Sequence, residues 1–181
     1  VFADGAGIVY KAGDMDQEAA KNIIKQAILL ERRGKAFYGK LASESQHIVL
    51  KDFFDMMANE EDNHIHVLSQ QLKSLAADGR FSEGNLSSRQ AENVSAAVLT
   101  PAIIESLITA EFESAAVSAA MAMEEKAIGL YRQWSTSATD PEEKRLFAWL
   151  AQWEGQHLKM LAEMDRQITE RIWNDNRFWP Y

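Results

Sequence analysis

The chain has 181 residues, enough for one domain with a full core, and 46% of them are hydrophobic against only 3 Pro and 9 Gly. A net charge of −8 argues against a nucleic-acid partner, and the absence of cysteine excludes disulfides, iron–sulfur clusters and thiolate metal sites in this chain. No apolar run approaches the ~20 residues of a membrane-spanning helix, and the first residues lack the basic flank and apolar stretch of a signal peptide, so a cytoplasmic protein without a membrane partner is expected.

Residues 1–13 hold three glycines and no periodicity and read as an extended or loosely packed N-terminal arm. Asp14 or Asp16 then caps an amphipathic helix whose apolar positions, from Ile23 and Ile24 through Ala27, Leu30, Phe37, Tyr38 and Leu41, recur at spacings of 3 and 4 to about Ser43. A second helix starts near His47 or Ile48. It carries Leu50, Phe53, Phe54, Met57, Leu68 and Leu72 on one face and ends at Asp78-Gly79, where Gly supplies a left-handed cap. Residues 79–100 are poor in apolar side chains, and a connection this long between packed helices implies a crossover along a bundle. Pro101 opens a short helical turn with Ile103, Ile104 and Leu107, ahead of a third long helix over about 109–137. Asp140-Pro-Glu-Glu143 is a strong helix start: a cap, Pro at the first position and an acid three residues after the cap. The fourth helix carries Leu146, Phe147, Leu150, Leu158, Leu161 and Met164. The expected domain is an all-α four-helix bundle over 14–171 with one long crossover, followed by an aromatic tail over 172–181 that packs on the bundle or on a second subunit.

One constellation occurs twice. Glu31 is followed by Glu61-Asp-Asn-His64, and Glu124 by Glu154-Gly-Gln-His157, with a constant offset of 93 residues that also superposes Tyr38 on Tyr131, Phe54 on Phe147 and Leu68 on Leu161. Two similar helix pairs related by a pseudo-twofold axis explain the repeat. Residues three apart on a helix share a face about one turn apart, so each Glu-x-x-His aims an oxygen and a nitrogen at one point. All six side chains fall on apolar faces, where four uncompensated carboxylates would each cost several kcal/mol or take up protons. Two divalent cations balance the four carboxylates and leave both imidazoles neutral as ligands. Carboxylate and imidazole without thiolate suit iron or manganese, and zinc can substitute.

These residues resemble the ferritin-like superfamily, and most closely its rubrerythrin-like branch, without a rubredoxin domain. The resemblance covers nearly all of 15–170 and rests on Glu31 with Phe37-Tyr38, Glu60-Glu61-x-x-His64, Glu124 with Tyr131, and Glu154-x-x-His157. It implies two iron ions in a carboxylate-bridged site, with Glu31 and Glu124 bridging and Glu61/His64 and Glu154/His157 as terminal pairs. It implies reduction of hydrogen peroxide or oxygen, or oxidation of Fe(II), in an oxidative-stress role with a separate electron donor. The alternative is an iron-binding, storage or trafficking protein without multiple-turnover oxidoreductase activity. A homodimer is the expected assembly. Rubrerythrins typically carry a further Glu one turn after the third-helix ligand, and here that position is Ala127, with Gly34 in the first repeat. These small residues leave space beside the metals for a small oxidant or a water.

The remaining polar and sulfur-bearing residues read more plainly. Tyr38 and Tyr131 could bond a ligand carboxylate, and the simpler reading is a core Tyr with one satisfied hydroxyl. His47 and His66 are expected to be solvated, as are Glu111 and Glu113 in a first helical turn. Glu60 and Glu125 are rotated about 100° from the ligands beside them. Met56, Met57, Met121, Met123, Met160 and Met164 are core fillers.

Overall fold

The computed structural model describes residues 2–3, 9–10, 12–83, 86 and 100–174, with side chains from 17 onward. Most of the expected crossover and the tail beyond 174 lie outside the described residues. Within the arm, β1 (Phe2–Ala3) pairs antiparallel with β2 (Val9–Tyr10), Phe2 opposite Tyr10. Among the described residues five helices follow: α1 (Ala12–Glu44), α2 (Ile48–Asp78), α3 (Pro101–Thr109), α4 (Glu111–Ser137) and α5 (Pro141–Trp173). The fold is all-α, as expected.

Local chemistry sets most boundaries. Gly79 closes α2 at φ 66°, the left-handed conformation expected of it. Asp140 caps α5 by accepting from the backbone N–H of Glu142 at 2.7 Å and of Glu143 at 3.1 Å, with Pro141 in the first turn. Asp140→Ala is therefore expected to destabilise the protein by about 1 kcal/mol, read as a lower urea midpoint with an unchanged slope. Thr100 caps α3 through Ile103 N–H. Two boundaries differ from expectation. Helix α1 begins at Ala12, ahead of both candidate caps, because Ala favours helix and a glycine in the first turn costs little. The short turn at Pro101 is a nine-residue helix that breaks at Ala110 (φ −107°, ψ 82°) before α4 begins.

Backbone proximity is concentrated within two hairpins, α1 with α2 and α4 with α5. The two apolar cores show how the hairpins are set. One contains Leu41 of α1, Leu50 to Met57 of α2, Ile103 to Leu107 of α3, Ala116 to Ala120 of α4 and Met160 to Ile168 of α5. The other contains Ala20 to Ile28, Leu68 and Leu75, Phe81, Ala127 to Tyr131 and Leu146 to Ala151. Helices α1 and α5 thus run one way and α2 and α4 the other, so α2 ends and α3 begins at opposite ends of the bundle. The duplication is visible in burial: Tyr38 and Tyr131, Phe54 and Phe147, and Leu68 and Leu161 are all at 0% exposure. Helix α3 packs across one end and has no counterpart in the first repeat. Among the described residues no helix is long and apolar enough to cross a membrane.

Candidate metal centre

Between the two apolar cores lies a polar layer. Glu31 comes from α1, Glu61 and His64 from α2, Glu124 from α4, and Glu154 and His157 from α5; none is more than 3% exposed. All six residues singled out by their spacing meet here. The apolar faces that bury them are built from ordinary helical periodicity, so the helices carry these side chains inward whether or not their charges are compensated.

The six side chains form two overlapping groups: Glu31, Glu61, His64 and Glu154 in one, and Glu61, Glu124, Glu154 and His157 in the other. Within each group, one ligating atom per residue lies within 4.8 Å of the others. Glu61 and Glu154 belong to both. The carboxylates shared between the two groups are those of the Glu-x-x-His pairs, whereas Glu31 and Glu124, expected to bridge, each belong to one group. Helix periodicity gives a residue's azimuth but not its depth between hairpins, and depth decides which carboxylate is shared.

Both imidazoles turn Nδ1 inward. His64 Nδ1 is 3.0 Å from Glu31 Oε2 and 2.9 Å from Glu154 Oε1, and His157 Nδ1 is 3.0 Å from Glu154 Oε2. Divalent-cation bonds to nitrogen and oxygen of about 2.0–2.2 Å put neighbouring ligand atoms about 3 Å apart. Glu154 Oε1 lies 2.9 Å from His64 Nδ1 without a well-formed hydrogen bond to it. A buried acceptor left in that state is costly without a cation. The donor set therefore fits a metal on the chain's own geometry.

The electrostatics of the metal-free cluster point the same way. Burial, reinforced by the charge on Glu154, raises Glu31 well above the usual carboxylate range. Burial raises Glu61 likewise, with the charges of Glu154 and Glu31 adding to it. Glu124 is pushed up to about 8, first by burial and then by Glu154. Glu154 goes the other way: burial works to raise it, but the charges of His64 and His157 hold it below the ordinary range. Burial disfavours the charged imidazoles, yet Glu154 outweighs burial and raises both, His157 to about 8. Without metal, the cluster compensates its carboxylates with protons. Divalent cations would displace those protons.

Each tyrosine hydroxyl is satisfied, as the plain reading expects, but by a carboxylate of the centre and across the repeat: Tyr38 donates to Glu124 Oε1 and Tyr131 to Glu31 Oε1. Burial, with the nearby Glu124 charge, raises the Tyr38 phenol well above its ordinary value and keeps it a donor. A cavity of about 10 Å³ touches Glu31, Gly34, Glu61, Glu124, Ala127 and Glu154, so both small residues border open space. That volume is about the minimum for one water. Gly34 is needed for more than space, since a Cβ there would stand 3.0 Å from Glu61 Cδ and 3.1 Å from its Oε2.

The sequence model of one protein family, Rubrerythrin, matches residues 22–165 and so takes in all six site residues and both hairpins. The chain belongs to the rubrerythrin family. The ferritin-like fold expected from the motifs therefore holds. No curated protein and no solved structure matched the chain.

As a rubrerythrin-family chain it departs from the simplest expectation at a few positions. Glu113 is buried at 7%, where a solvated first turn was expected. Position 113 shares the inward stripe with Ala116, Val117 and Ala120, and the following turns bury that stripe. His66 is exposed and bonds Gln70, as expected for a residue off the site face. Residues Trp149 and Trp153, which sequence reasoning passed over, cover His64 edge-to-face. Their signal was the i, i+4 spacing that stacks them on one face of α5 with His157. A much larger groove of about 1150 Å³ lies at the α3 end, lined by Ile104, Ile108, Arg166, Glu170 and Ile172, and holds none of the site residues.

Proposed function

We propose that this rubrerythrin-family chain binds two iron ions at the Glu31/Glu61/His64/Glu124/Glu154/His157 cluster and reduces hydrogen peroxide or oxygen, or oxidises Fe(II). The observation that carries this reading is the pair of overlapping four-residue groups that share Glu61 and Glu154. Manganese or zinc would fit the same oxygen and nitrogen donors. When bound, the dinuclear centre would supply the redox electrons and the Lewis acidity for breaking an O–O bond.

The chain's own residues do the rest. His64 and Glu31 would hold one ion, His157 and Glu124 the other, with Glu61 and Glu154 between them. The Tyr38 and Tyr131 hydroxyls fix the rotamers of Glu124 and Glu31 from the opposite hairpin, so each outer carboxylate is oriented before metal arrives. The space beside Gly34 and Ala127 is about large enough for one water next to the cluster. The apolar cores on either side keep bulk water out and strengthen every charge interaction inside. Electrons would come from a separate donor, and a homodimer acting in the cytoplasm against oxidative stress is the setting we favour.

The test is reconstitution with Fe(II), metal analysis, and rapid mixing with peroxide and with oxygen in the presence of an electron donor. The reading expects two irons per chain and peroxide consumption over many turnovers. A single turnover with retention of many irons would instead indicate storage, and one iron or none would overturn the dinuclear site.

Gly34→Ala isolates the space beside the cluster. The new methyl crowds the Glu61 carboxylate with or without metal, so metal affinity falls, while helix propensity offsets the crowding in the metal-free protein by up to about 1 kcal/mol. Parallel melting of the chelated protein and metal titration would resolve the two opposite effects.

A further inference from the structure

The pseudo-twofold symmetry of the ligands fails around one of the two histidines. His64 has Trp149 and Trp153 edge-to-face at ring-centroid distances of 5.6 and 5.5 Å, and the two indoles lie 5.2 Å apart. The residues 93 positions earlier are Met56 and Glu60, so no aromatic pair takes the equivalent place in the first repeat. Both His64 Nε2 and His157 Nε2 are buried without a hydrogen-bond partner, but only the His64 ring has indoles against it in place of the carboxylate or carbonyl that commonly backs a metal-ligating histidine. Trp153 is buried at 8%, whereas Trp149 is half-buried. The three rings thus form a closed cluster, each ring centroid 5.2–5.6 Å from the other two, in which both indoles reach His64 and Trp149 also reaches the protein surface. It joins one face of α5 to α2.

We infer that Trp153 and Trp149 form an electron relay between the dinuclear centre and the surface, entering through His64. Resting on the redox reading above, this gives that reading its missing route for the external donor. Trp153 would give one electron through His64 to the oxidised centre and become an indole radical cation, or Trp149, which also contacts His64, would do so directly. Trp149 refills Trp153 by giving up one electron, and the Nε1 proton of Trp149 passes to water. A one-electron reductant at the surface then returns an electron to Trp149, and water returns the proton. Two such passes supply the two electrons that, with two protons, convert one hydrogen peroxide to two waters. Contact between rings makes each step short, and indole is among the most readily oxidised side chains. A phenylalanine would fill the same space without carrying the charge.

The experiment loads the full chain with iron, adds limiting peroxide without donor, and maps oxygen addition at each tryptophan by peptide mass spectrometry, with freeze-quench electron paramagnetic resonance alongside. The relay expects Trp149 to be modified ahead of Trp173, although Trp173 is 64% exposed, and it expects a tryptophan radical signal. In the Trp149→Phe/Trp153→Phe double variant, with two irons still bound, the tryptophan radical falls to the level of the metal-free control, whereas Trp153→Phe alone leaves Trp149 oxidised through its own contact with His64. In Trp149→Phe the radical remains, carried by Trp153. Modification of Trp173 first, or a tryptophan radical unchanged in the double variant, overturns the relay while leaving peroxide consumption intact. A loaded protein that consumes no peroxide overturns the redox reading and the relay with it.

Discussion

Replacing Glu154 by Gln is expected to remove both metals from the chain, whereas replacing Glu31 or Glu124 by Gln removes one. The difference follows from position: Glu154 and Glu61 stand in both ligand groups, and Glu31 and Glu124 each stand in one. Glu154 also has the most consequential local chemistry. Its two oxygens lie 2.9 Å from His64 Nδ1 and 3.0 Å from His157 Nδ1, and it is the carboxylate that both imidazoles hold in its charged form. An amide there keeps the shape but puts an N–H₂ donor beside ring nitrogens and removes the charge that couples the two halves. Losing a group that merely supports a ligand costs about 10–100-fold in metal affinity, and loss of a shared ligand should exceed that for both ions. In Glu31→Gln the ion beside His64 is lost and the one beside His157 stays, with the converse in Glu124→Gln. Isothermal titration with a divalent metal, followed by metal analysis after desalting, checks all three variants. Equal losses in Glu154→Gln and Glu31→Gln would contradict the assignment of the shared carboxylates.

Without metal, stability is expected to fall as pH rises, the reverse of an ordinary acidic protein leaving its acid-denaturation range. Glu124 is raised from about 4.5 in the unfolded chain to about 8 in the fold, so its protonated form stabilises the fold fully below the lower value and progressively less up to the higher. His157, raised from 6.5 to about 8, contributes stability that is complete below 6.5 and lost through the same upper limit. Glu31 and Glu61, raised by burial, act in the same direction. Glu154 has the opposite sign, but its contribution is lost only in strong acid, outside this window. The loss is on the order of 2 kcal/mol from His157 alone and larger with the carboxylates included. Metal binding releases the same protons, so the loaded protein should hold or gain stability over that range. Melting of chelated and loaded protein between about pH 5.5 and pH 8.5 therefore shows a gap that widens with pH. A gap independent of pH would mean that the cluster does not hold these protons.

Much of this was legible in the residues. The constant offset of 93 identified the duplication, and the i, i+3 pairs identified four of the six site residues, because helix periodicity alone places them on apolar faces. Asp140 and Gly79 marked helix ends because caps are local chemistry. The features that were not legible depend on contacts between hairpins. Which carboxylates are shared, that Tyr38 reaches Glu124 and Tyr131 reaches Glu31, and that two indoles cover His64 are all set by the antiparallel docking of the pairs. Burial of Glu113 likewise depends on what α4 packs against. A repeat in sequence says that two halves are alike, but not how they interlock.

The central claim is a dinuclear centre in which the Glu-x-x-His carboxylates are common to both ions. A crystal structure of the iron-loaded protein, with anomalous data collected at the iron edge, tests it most directly. The prediction is two anomalous peaks per chain, one bonded to His64 Nδ1 and Glu31 and the other to His157 Nδ1 and Glu124, with Glu61 and Glu154 reaching both. A single peak, or two peaks bridged by Glu31 and Glu124, would contradict it.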